Sequence, residues 1–144
     1  MSELLTARAA IADLVHTYAL HIRSGNAGEC MKLFTEDAVF EVREAQIGGL
    51  EGVRMRSRFT DRDGISSHLL RTKETRVCPF ISNLLIDVHG RDATSTCLMT
   101  SLVWSRGLHI VGEYHDTYRY DTDWRFSSRV FTILGEFSHQ SVNR

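Results

Sequence analysis

The sequence predicts an α+β fold in which three helices from the N-terminal half cover the concave face of a cone-shaped, curved and mainly antiparallel sheet. Two observations carry this prediction. Apolar residues recur at three- and four-residue steps in the first third of the chain, as in helices with one apolar face. From residue 38 onwards, alternating, β-branched and aromatic residues replace that pattern. Helices followed by strands favour a helix layer on one face of a sheet.

Length and composition indicate a single domain over residues 1–144. With 42% hydrophobic residues, the chain can bury one core. The formal net charge of -1, with acids and bases interspersed, provides no basic stripe for nucleic acid and no polybasic segment for a membrane. The apolar runs are too short to span a bilayer, and the first ten residues carry charge where a signal peptide is apolar. We therefore expect a cytoplasmic protein that binds neither nucleic acid nor a membrane.

Apolar spacing and capping residues predict the three helices. The apolar face of the first helix consists of Leu4, Ile11, Leu14, Val15, Tyr18 and Ile22. Asn26 and Glu29 have the spacing of a capping box, which predicts a short second helix with Cys30, Met31, Leu33 and Phe34 on its buried side. Asp63 is expected to cap a third helix in which Ile65, Leu69 and Thr72 share a face.

The strands are predicted from two separate regions. Runs at residues 38–43 and 53–59, on either side of Gly48 and Gly49, indicate a hairpin or two neighbouring strands. Residues 77–135 indicate three or four long strands separated by short polar turns at 89–92, 105–107 and 121–123. The second region is therefore expected to form an antiparallel meander.

The cysteines indicate neither a disulfide framework nor a zinc site. Cys30, Cys78 and Cys97 are odd in number, unclustered and set among apolar residues. We expect buried, reduced thiols.

The stretch LVHTYALHIRSGNAGECMKLFTEDAVFEV, residues 14–42, resembles the opening of the nuclear transport factor 2-like superfamily in its SnoaL-like and scytalone-dehydratase-like branch. FISNLLIDVHGRDAT, GEYHDTYRYDTDWRF and SSRVF fit the same branch, so the resemblance runs from about residue 11 to residue 131. It implies a cone-shaped fold with the ligand inside the cone. The superfamily includes dehydratases, isomerases, polyketide cyclases, dioxygenase small subunits and non-catalytic proteins, so the resemblance does not select one reaction.

The sequence departs from this branch at two positions. Dehydratase-like members have a carboxylate near the end of the first helix and a histidine at the start of a later strand. With Tyr18 taken as the family's tyrosine, these positions hold Arg23 and Pro79. Neither side chain transfers a proton at ordinary pH, so the inherited acid/base pair is absent.

Glu113 and His115 are predicted as replacement catalytic residues. Aligning Trp124 with the family's tryptophan places both side chains on the concave face, about 7 Å apart along one strand. At that distance a carboxylate and an imidazole reach one substrate and tune each other's pKa. The alternative is that both lie on the outer face and contact solvent or a subunit partner.

Further site candidates come from the first helix and the last strand. Tyr18 is a candidate proton donor, or a core residue, and His21 beside it is expected either to replace the lost acid or to lie at the surface. Arg129, which shares a strand face with Phe131, is expected to bind an anionic group of the substrate. The alternatives are a buried salt bridge with an acid such as Glu113 and a solvated strand residue.

Three more residues, Arg23, Trp104 and His109, are additional substrate-binding candidates. No nucleotide-binding loop and no clear metal-ligand spacing is present, so we expect neither a cofactor nor a metal site.

Two functions of different class remain open. The first is a cofactor-independent lyase, isomerase or cyclase that acts by proton transfer on a small apolar aromatic or polyketide-like substrate. The second is a non-catalytic binding or assembly module, like a ring-hydroxylating dioxygenase small subunit. A pocket lined by the proposed catalytic residues favours the enzyme, whereas a cone filled by Phe131, Trp104 and Met99 favours the module. Leu98, Leu102 and Trp104 on the other face predict a homodimer or larger homo-oligomer.

Overall fold

The computed structural model describes residues 2–45 and 53–138. In chain order it contains helix α1 (Glu3–Arg23), a 3₁₀ helix (Ala27–Leu33), strands β1 (Phe34–Ala45) and β2 (Val53–Thr60), helix α2 (Asp61–Thr75), and strands β3 (Val77–His89), β4 (Asp92–Val103), β5 (Leu108–Tyr120) and β6 (Trp124–Ser138). A 3₁₀ turn (Trp104–Arg106) joins β4 to β5. This order confirms the predicted α+β class and the three predicted helices.

The six strands form one sheet in the order β2-β1-β6-β5-β4-β3. The β1 and β6 strands are parallel, and every other neighbouring pair is antiparallel. The predicted meander is confirmed, because β3 to β6 follow one another and break at the predicted polar turns. The predicted turn at Gly48 and Gly49 lies outside the described residues. The part of the chain that the structure describes has no helix long and apolar enough to cross a membrane.

Side-chain capping differs among the three helices, and neither of the two predicted caps forms. The Ser2 hydroxyl accepts a hydrogen bond from the Leu5 amide at 3.4 Å and caps α1. Asn26 precedes the 3₁₀ helix without a side-chain cap, so the predicted capping box is wrong. Asp63 lies inside α2, where the carboxylate of Asp61 instead accepts the Gly64 amide at 3.0 Å. The second helix thus starts after Asn26 as predicted but lacks the capping box, whereas α2 starts at Asp61, three residues earlier than a cap at Asp63 requires.

The helices bury their apolar faces against one side of the sheet, which we call the inner face. Ile11, Val15, Tyr18 and Ile22 of α1 and Ile65 and Leu69 of α2 belong to the same core cluster as Phe34, Phe40 and Phe126. Each buried side chain of this size contributes about 1.5 to 3 kcal/mol to folding. Cys30 and Cys97 are buried in this core, Cys78 is half-buried, and all three are free thiols.

Alternation along β4 and β5 separates the inner face from the opposite, outer face. Odd-numbered residues of β4, from Ala93 to Val103, are buried, and even-numbered residues of β5, from Gly112 to Tyr118, are buried. The register is consistent with this alternation, since Cys97 lies opposite Tyr114 and Leu98 lies opposite Glu113. The even-numbered residues of β5 therefore point into the cone, and the odd-numbered residues point away from it.

Candidate functional site

Glu113 and His115 lie on the outer face of β5, so the predicted inward orientation is wrong. Their side chains are 38% and 53% exposed and contact each other at 3.2 Å between Oε1 and Nε2. The error has a clear physical cause: Trp124 lies opposite Tyr120, so the face of Trp124 continues into the even-numbered residues of β5. The geometric basis for assigning catalysis to this pair is therefore removed.

A buried ion pair occupies the interior instead. The Arg129 guanidinium donates from Nε to Asp116 Oδ1 at 2.9 Å and from Nη2 to Asp116 Oδ2 at 3.2 Å. Both side chains are fully buried. Arg129 therefore faces inward as predicted and forms the salt bridge that the sequence left as an alternative, but with Asp116 rather than with Glu113.

Three aromatic rings surround this guanidinium. Its central carbon lies 4.3 Å from the ring centroid of Tyr18, 3.7 Å from that of Tyr114 and 4.4 Å from that of Phe126. At these distances the negative ring faces attract the cation. The rings replace part of the hydration that Arg129 loses and also close off the pair from water.

One nitrogen of the guanidinium makes no hydrogen bond within the described part of the chain. Among the residues described, Nη1 of Arg129 is buried and has no hydrogen-bond partner. A buried, unsatisfied donor costs about 1 to 3 kcal/mol, and more when it belongs to a charged group. An oxygen atom placed against Nη1 would recover that cost.

A second branch of the network leads from Asp116 to β4. The Tyr118 hydroxyl donates to Asp116 Oδ2 at 3.4 Å and lies 2.7 Å from the hydroxyl of Ser95. Both residues are buried. The inner face of three neighbouring strands therefore carries a continuous polar path from Ser95 to Arg129.

Burial shifts the proton affinities of this network. Burial raises the pKa of the Asp116 carboxyl above its usual value, while Arg129 and Tyr118 act in the opposite direction. Burial also raises the pKa of Tyr114 to about 12 and holds the pKa of Tyr18 well above its usual value. For Arg129, burial lowers the pKa, but Asp116 and the neighbouring tyrosines outweigh it, and the pKa is raised. The phenols are therefore neutral and the guanidinium is charged at neutral pH.

The remaining interior positions are filled by side chains. Phe131 and Met99 are buried in the core, as the module hypothesis predicted, whereas Trp104 is 66% exposed and does not fill the cone. Gly112 lies against the Phe131 ring, and a Cβ at this glycine would clash with that ring and come within 2.6 Å of the Thr132 carbonyl oxygen. Close packing of β5 on β6 thus requires glycine here.

The two histidines predicted near the site lie away from the buried ion pair. His21 is half-buried in the last turn of α1, and its carbonyl oxygen accepts the Asn26 amide at 2.8 Å. His109 lies opposite Leu102, on the outer face of β5. In residues 2–45 and 53–138, no group of three or more His, Cys, Asp or Glu side chains could hold a metal ion.

Arg23 and Trp104 come together at the end of α1, in a cavity of about 420 Å³ that we call the rim groove. The rim groove is lined by Ile22, Arg23, Ser24, Gly25, Arg76, Val77, Cys78 and Trp104. A second cavity, of about 650 Å³, lies at the opposite end of α1 and is lined in part by Leu4, Arg91, Tyr120 and Trp124. Both predicted substrate-binding residues are therefore at the edge of the fold and not inside it.

Comparison with known proteins identifies the fold family. The profile of the SnoaL-like domain matches residues 3–130. The chain belongs to this family. Among curated protein sequences, no match reaches significance.

Solved structures share the SnoaL-like fold at low sequence identity. A proposed scytalone dehydratase from Novosphingobium aromaticivorans has a TM-score of 0.76 at 21% identity, over 95% of this chain and 90% of the other. LinA has a TM-score of 0.80 at 17% identity, over 100% and 98%. The β subunit of a proposed aromatic-ring-hydroxylating dioxygenase from N. aromaticivorans has a TM-score of 0.74 at 14% identity, over 93% of each chain. At these identities the likeness shows the fold alone.

The two positions at which the resemblance implied a catalytic pair lie at the edges of the fold. Arg23 is exposed at the end of α1, and Pro79 lies opposite Ser101 on β3, an edge strand that tolerates proline. The sequence reasoning missed Tyr114, Asp116 and Tyr118. The available signal was the alternation itself: two aromatic residues two positions either side of an aspartate indicate the buried face more strongly than a glutamate and a histidine do.

Proposed function

We propose that this chain is a cofactor-independent lyase, isomerase or cyclase that acts by proton transfer on a small apolar aromatic or polyketide-like molecule inside the cone. The observation that supports it is the fully buried Asp116–Arg129 pair, whose Nη1 is unpartnered among the described residues. Burying two charges costs several kcal/mol per ion, and apolar side chains of similar size would fill the cone without that cost. A pair with a spare donor is suited to hold a polar group of a ligand.

Each polar residue of the network has a chemical role in this proposal. Arg129 Nη1 donates to the substrate oxygen on which negative charge develops. Asp116, the carboxyl group held by Arg129, is assigned the exchange of a proton with the substrate, and burial raises its pKa above the usual value. Tyr18, the candidate from the first helix, supplies a neutral phenol as donor beside the guanidinium.

The apolar walls account for the proposed substrate class. The rings of Tyr18, Tyr114 and Phe126 pack edge-on or tilted around Arg129, with Tyr18 6.0 Å from Phe126 and 6.4 Å from Tyr114. To reach the buried donor, a substrate has to insert between these rings, which a flat, mostly apolar molecule with one or two oxygens does at the least cost.

The first experiment is a thermal-shift screen with aromatic and polyketide-like compounds, because a ligand that binds the folded state raises the melting temperature. With a substrate in hand, Tyr18→Phe is compared with Tyr120→Phe, which alters a phenol at the far end of the sheet. We expect the first change to reduce kcat about a hundredfold and the second to leave it unchanged. Full activity in Tyr18→Phe and in Asp116→Asn would contradict the proposal.

The second candidate function is a binding or assembly module, favoured by the outer face. Phe80, Leu85 and Phe137 are large, exposed and directed to that face by their pairing with Thr100, Thr96 and His109. Apolar side chains exposed together on one sheet surface are typical of a protein interface. We propose that the chain forms a homodimer or larger homo-oligomer through this face.

Sedimentation velocity tests the assembly proposal. Wild-type protein at micromolar concentration is expected to sediment as an oligomer, and Phe80→Ser is expected to weaken the association. Tyr120→Phe is the control, because Tyr120 lies at the far end of the sheet. A wild-type monomer would rule out self-association, and an oligomer without detectable turnover of any ligand found in the screen would favour the module over the enzyme.

A further inference from the structure

The rim groove is the place where charge and aromatic surface meet outside the buried network. Its charged side chains are Arg23 and Arg76, and neither forms an ion pair with an acid in the described ranges 2–45 and 53–138. Among the residues that the structure describes, no carboxylate lines the cavity. The groove therefore has a positive potential that suits an anion.

Trp104 is held in place although its indole is mostly exposed. Its amide donates to the Arg76 carbonyl oxygen at 3.2 Å, and the neighbouring Ser105 hydroxyl donates to the Thr75 carbonyl oxygen at 2.9 Å. These bonds fasten the 3₁₀ turn to the end of α2. An exposed indole on a fixed turn provides a flat surface on which an aromatic ring can stack at little entropic cost.

The backbone of Arg76 is strained at the same place. Its φ of 53° puts a non-glycine residue in the left-handed region. Such residues persist where the surrounding structure fixes them, and they cluster at binding sites. Arg23 is the last residue of α1 and Arg76 directly follows α2, and a positive charge is favourable at a helix C-terminus. That placement accounts for the positive charge of both side chains, but it accounts neither for the cavity between them nor for the exposed indole.

The rim groove is adjacent to the buried network. Its wall includes Ile22, which lies one helical turn after Tyr18 on the same face of α1, about 6 Å along the helix axis. The Tyr18 ring in turn contacts the Arg129 guanidinium. The inner wall of the rim groove is therefore one helical turn from the ring that covers the guanidinium.

We propose that the rim groove binds the carboxylate of a small aromatic molecule, with the anionic group between Arg23 and Arg76 and the ring on Trp104. This inference deepens the proposed function, since it makes an aromatic carboxylate the preferred substrate class of the cone. The cavity of about 420 Å³ accommodates a molecule with two fused rings.

Isothermal titration calorimetry with 2-naphthoate and its neutral isostere 2-naphthamide tests the proposal on the full chain. We expect wild-type protein to bind the carboxylate about tenfold or more tightly than the amide. Arg23→Gln and Arg76→Gln are each expected to weaken naphthoate binding about tenfold, and Trp104→Ala about fivefold. The matched control is Arg106→Gln, which neutralises an arginine in the same 3₁₀ turn that does not line the groove. Circular dichroism verifies the fold of each variant.

The outcomes separate this inference from the proposed function. Three outcomes would each overturn the rim site: no binding of naphthoate, equal affinity for the carboxylate and the amide, or equal naphthoate affinity in Arg23→Gln, Arg76→Gln and Arg106→Gln. None of them bears on the proposed function, which is tested separately by Tyr18→Phe. Loss of naphthoate binding in Arg23→Gln, together with full turnover of an identified substrate by Tyr18→Phe and Asp116→Asn, would support the rim site and overturn the proposed chemistry.

Discussion

The two faces of β5 carry similar chemistry in opposite environments. On the outer face, Glu113 and His115 form an exposed contact at 3.2 Å. On the inner face, one residue further along, Asp116 forms a fully buried pair with Arg129. Exposed pairs contribute about 0 to 1 kcal/mol, whereas breaking a buried pair costs about 3 to 5 kcal/mol. A shift of one residue along the strand therefore decides whether a charge pair makes a large or a small difference to the stability of the protein.

Removing the inner carboxylate is expected to have the largest effect on stability. Asp116→Asn leaves the Arg129 charge buried without a counter-ion, so we expect the free energy of unfolding to fall by about 3 to 5 kcal/mol. Urea denaturation monitored by circular dichroism measures this free energy of unfolding. The double variant Asp116→Leu/Arg129→Met removes both charges and is expected to recover most of the loss. A single variant that loses less than about 1 kcal/mol would contradict the importance of the inner pair.

The second prediction compares an inner histidine with an outer one. Burial, with a smaller contribution from Arg71, lowers the pKa of His68 from 6.5 to about 4, and its ring stacks on Phe59 at 4.4 Å. Because the folded-state pKa lies below the unfolded one, the associated stability is fully present above about pH 6.5 and falls by up to about 3 kcal/mol as the pH drops to about 4.

Urea unfolding of wild type, His68→Gln and His115→Gln at about pH 7 and about pH 4.5 checks this dependence. The loss of stability between the two pH values should be smaller in His68→Gln than in wild type. It should be unchanged in His115→Gln, whose ring is half exposed. Equal pH dependence in all three proteins would rule out His68 as a buried neutral group.

A smaller effect is expected from the far end of the inner network. Tyr118→Phe removes the hydroxyl that lies 2.7 Å from the Ser95 hydroxyl and leaves that serine buried without its partner. We expect a loss of about 1 to 2 kcal/mol in the free energy of unfolding. The companion change Ser95→Ala, combined with Tyr118→Phe, should cost less than the sum of the two single changes, because the second removes a group already unpaired.

The smallest effect is expected on the outer face. Glu113→Gln is predicted to change the free energy of unfolding by no more than about 0.5 kcal/mol, because its partner His115 is exposed. With a substrate available, its kcat should equal that of wild type. A large loss of kcat in this variant would reinstate Glu113 as a catalytic residue and would contradict the inner network as the reacting site.

The fold was predictable because its signals are local and repeated. The spacing of Ile11, Val15, Tyr18 and Ile22 marks a helix face, and the polar turns at 89–92 and 121–123 mark strand ends. The site was not predictable to the same degree. The face to which Asp116 points was misjudged because Trp124 was taken to mark the odd-numbered residues of β5, whereas the pairing places Trp124 opposite Tyr120. The partner of a residue on a neighbouring strand is a long-range property that spacing along the chain does not give.

The parallel pairing of β1 with β6 has a consequence for how the chain reaches its native state. β1 lies beside β6, with Phe40 opposite Arg129, so the pair joins segments separated by about 90 residues and closes a long loop. Contacts so distant in sequence slow folding, and β1 cannot gain this neighbour during synthesis until β6 has emerged. Until then the edge of β1 that carries Phe40 lacks a partner strand, and an unpaired strand edge can pair with another chain.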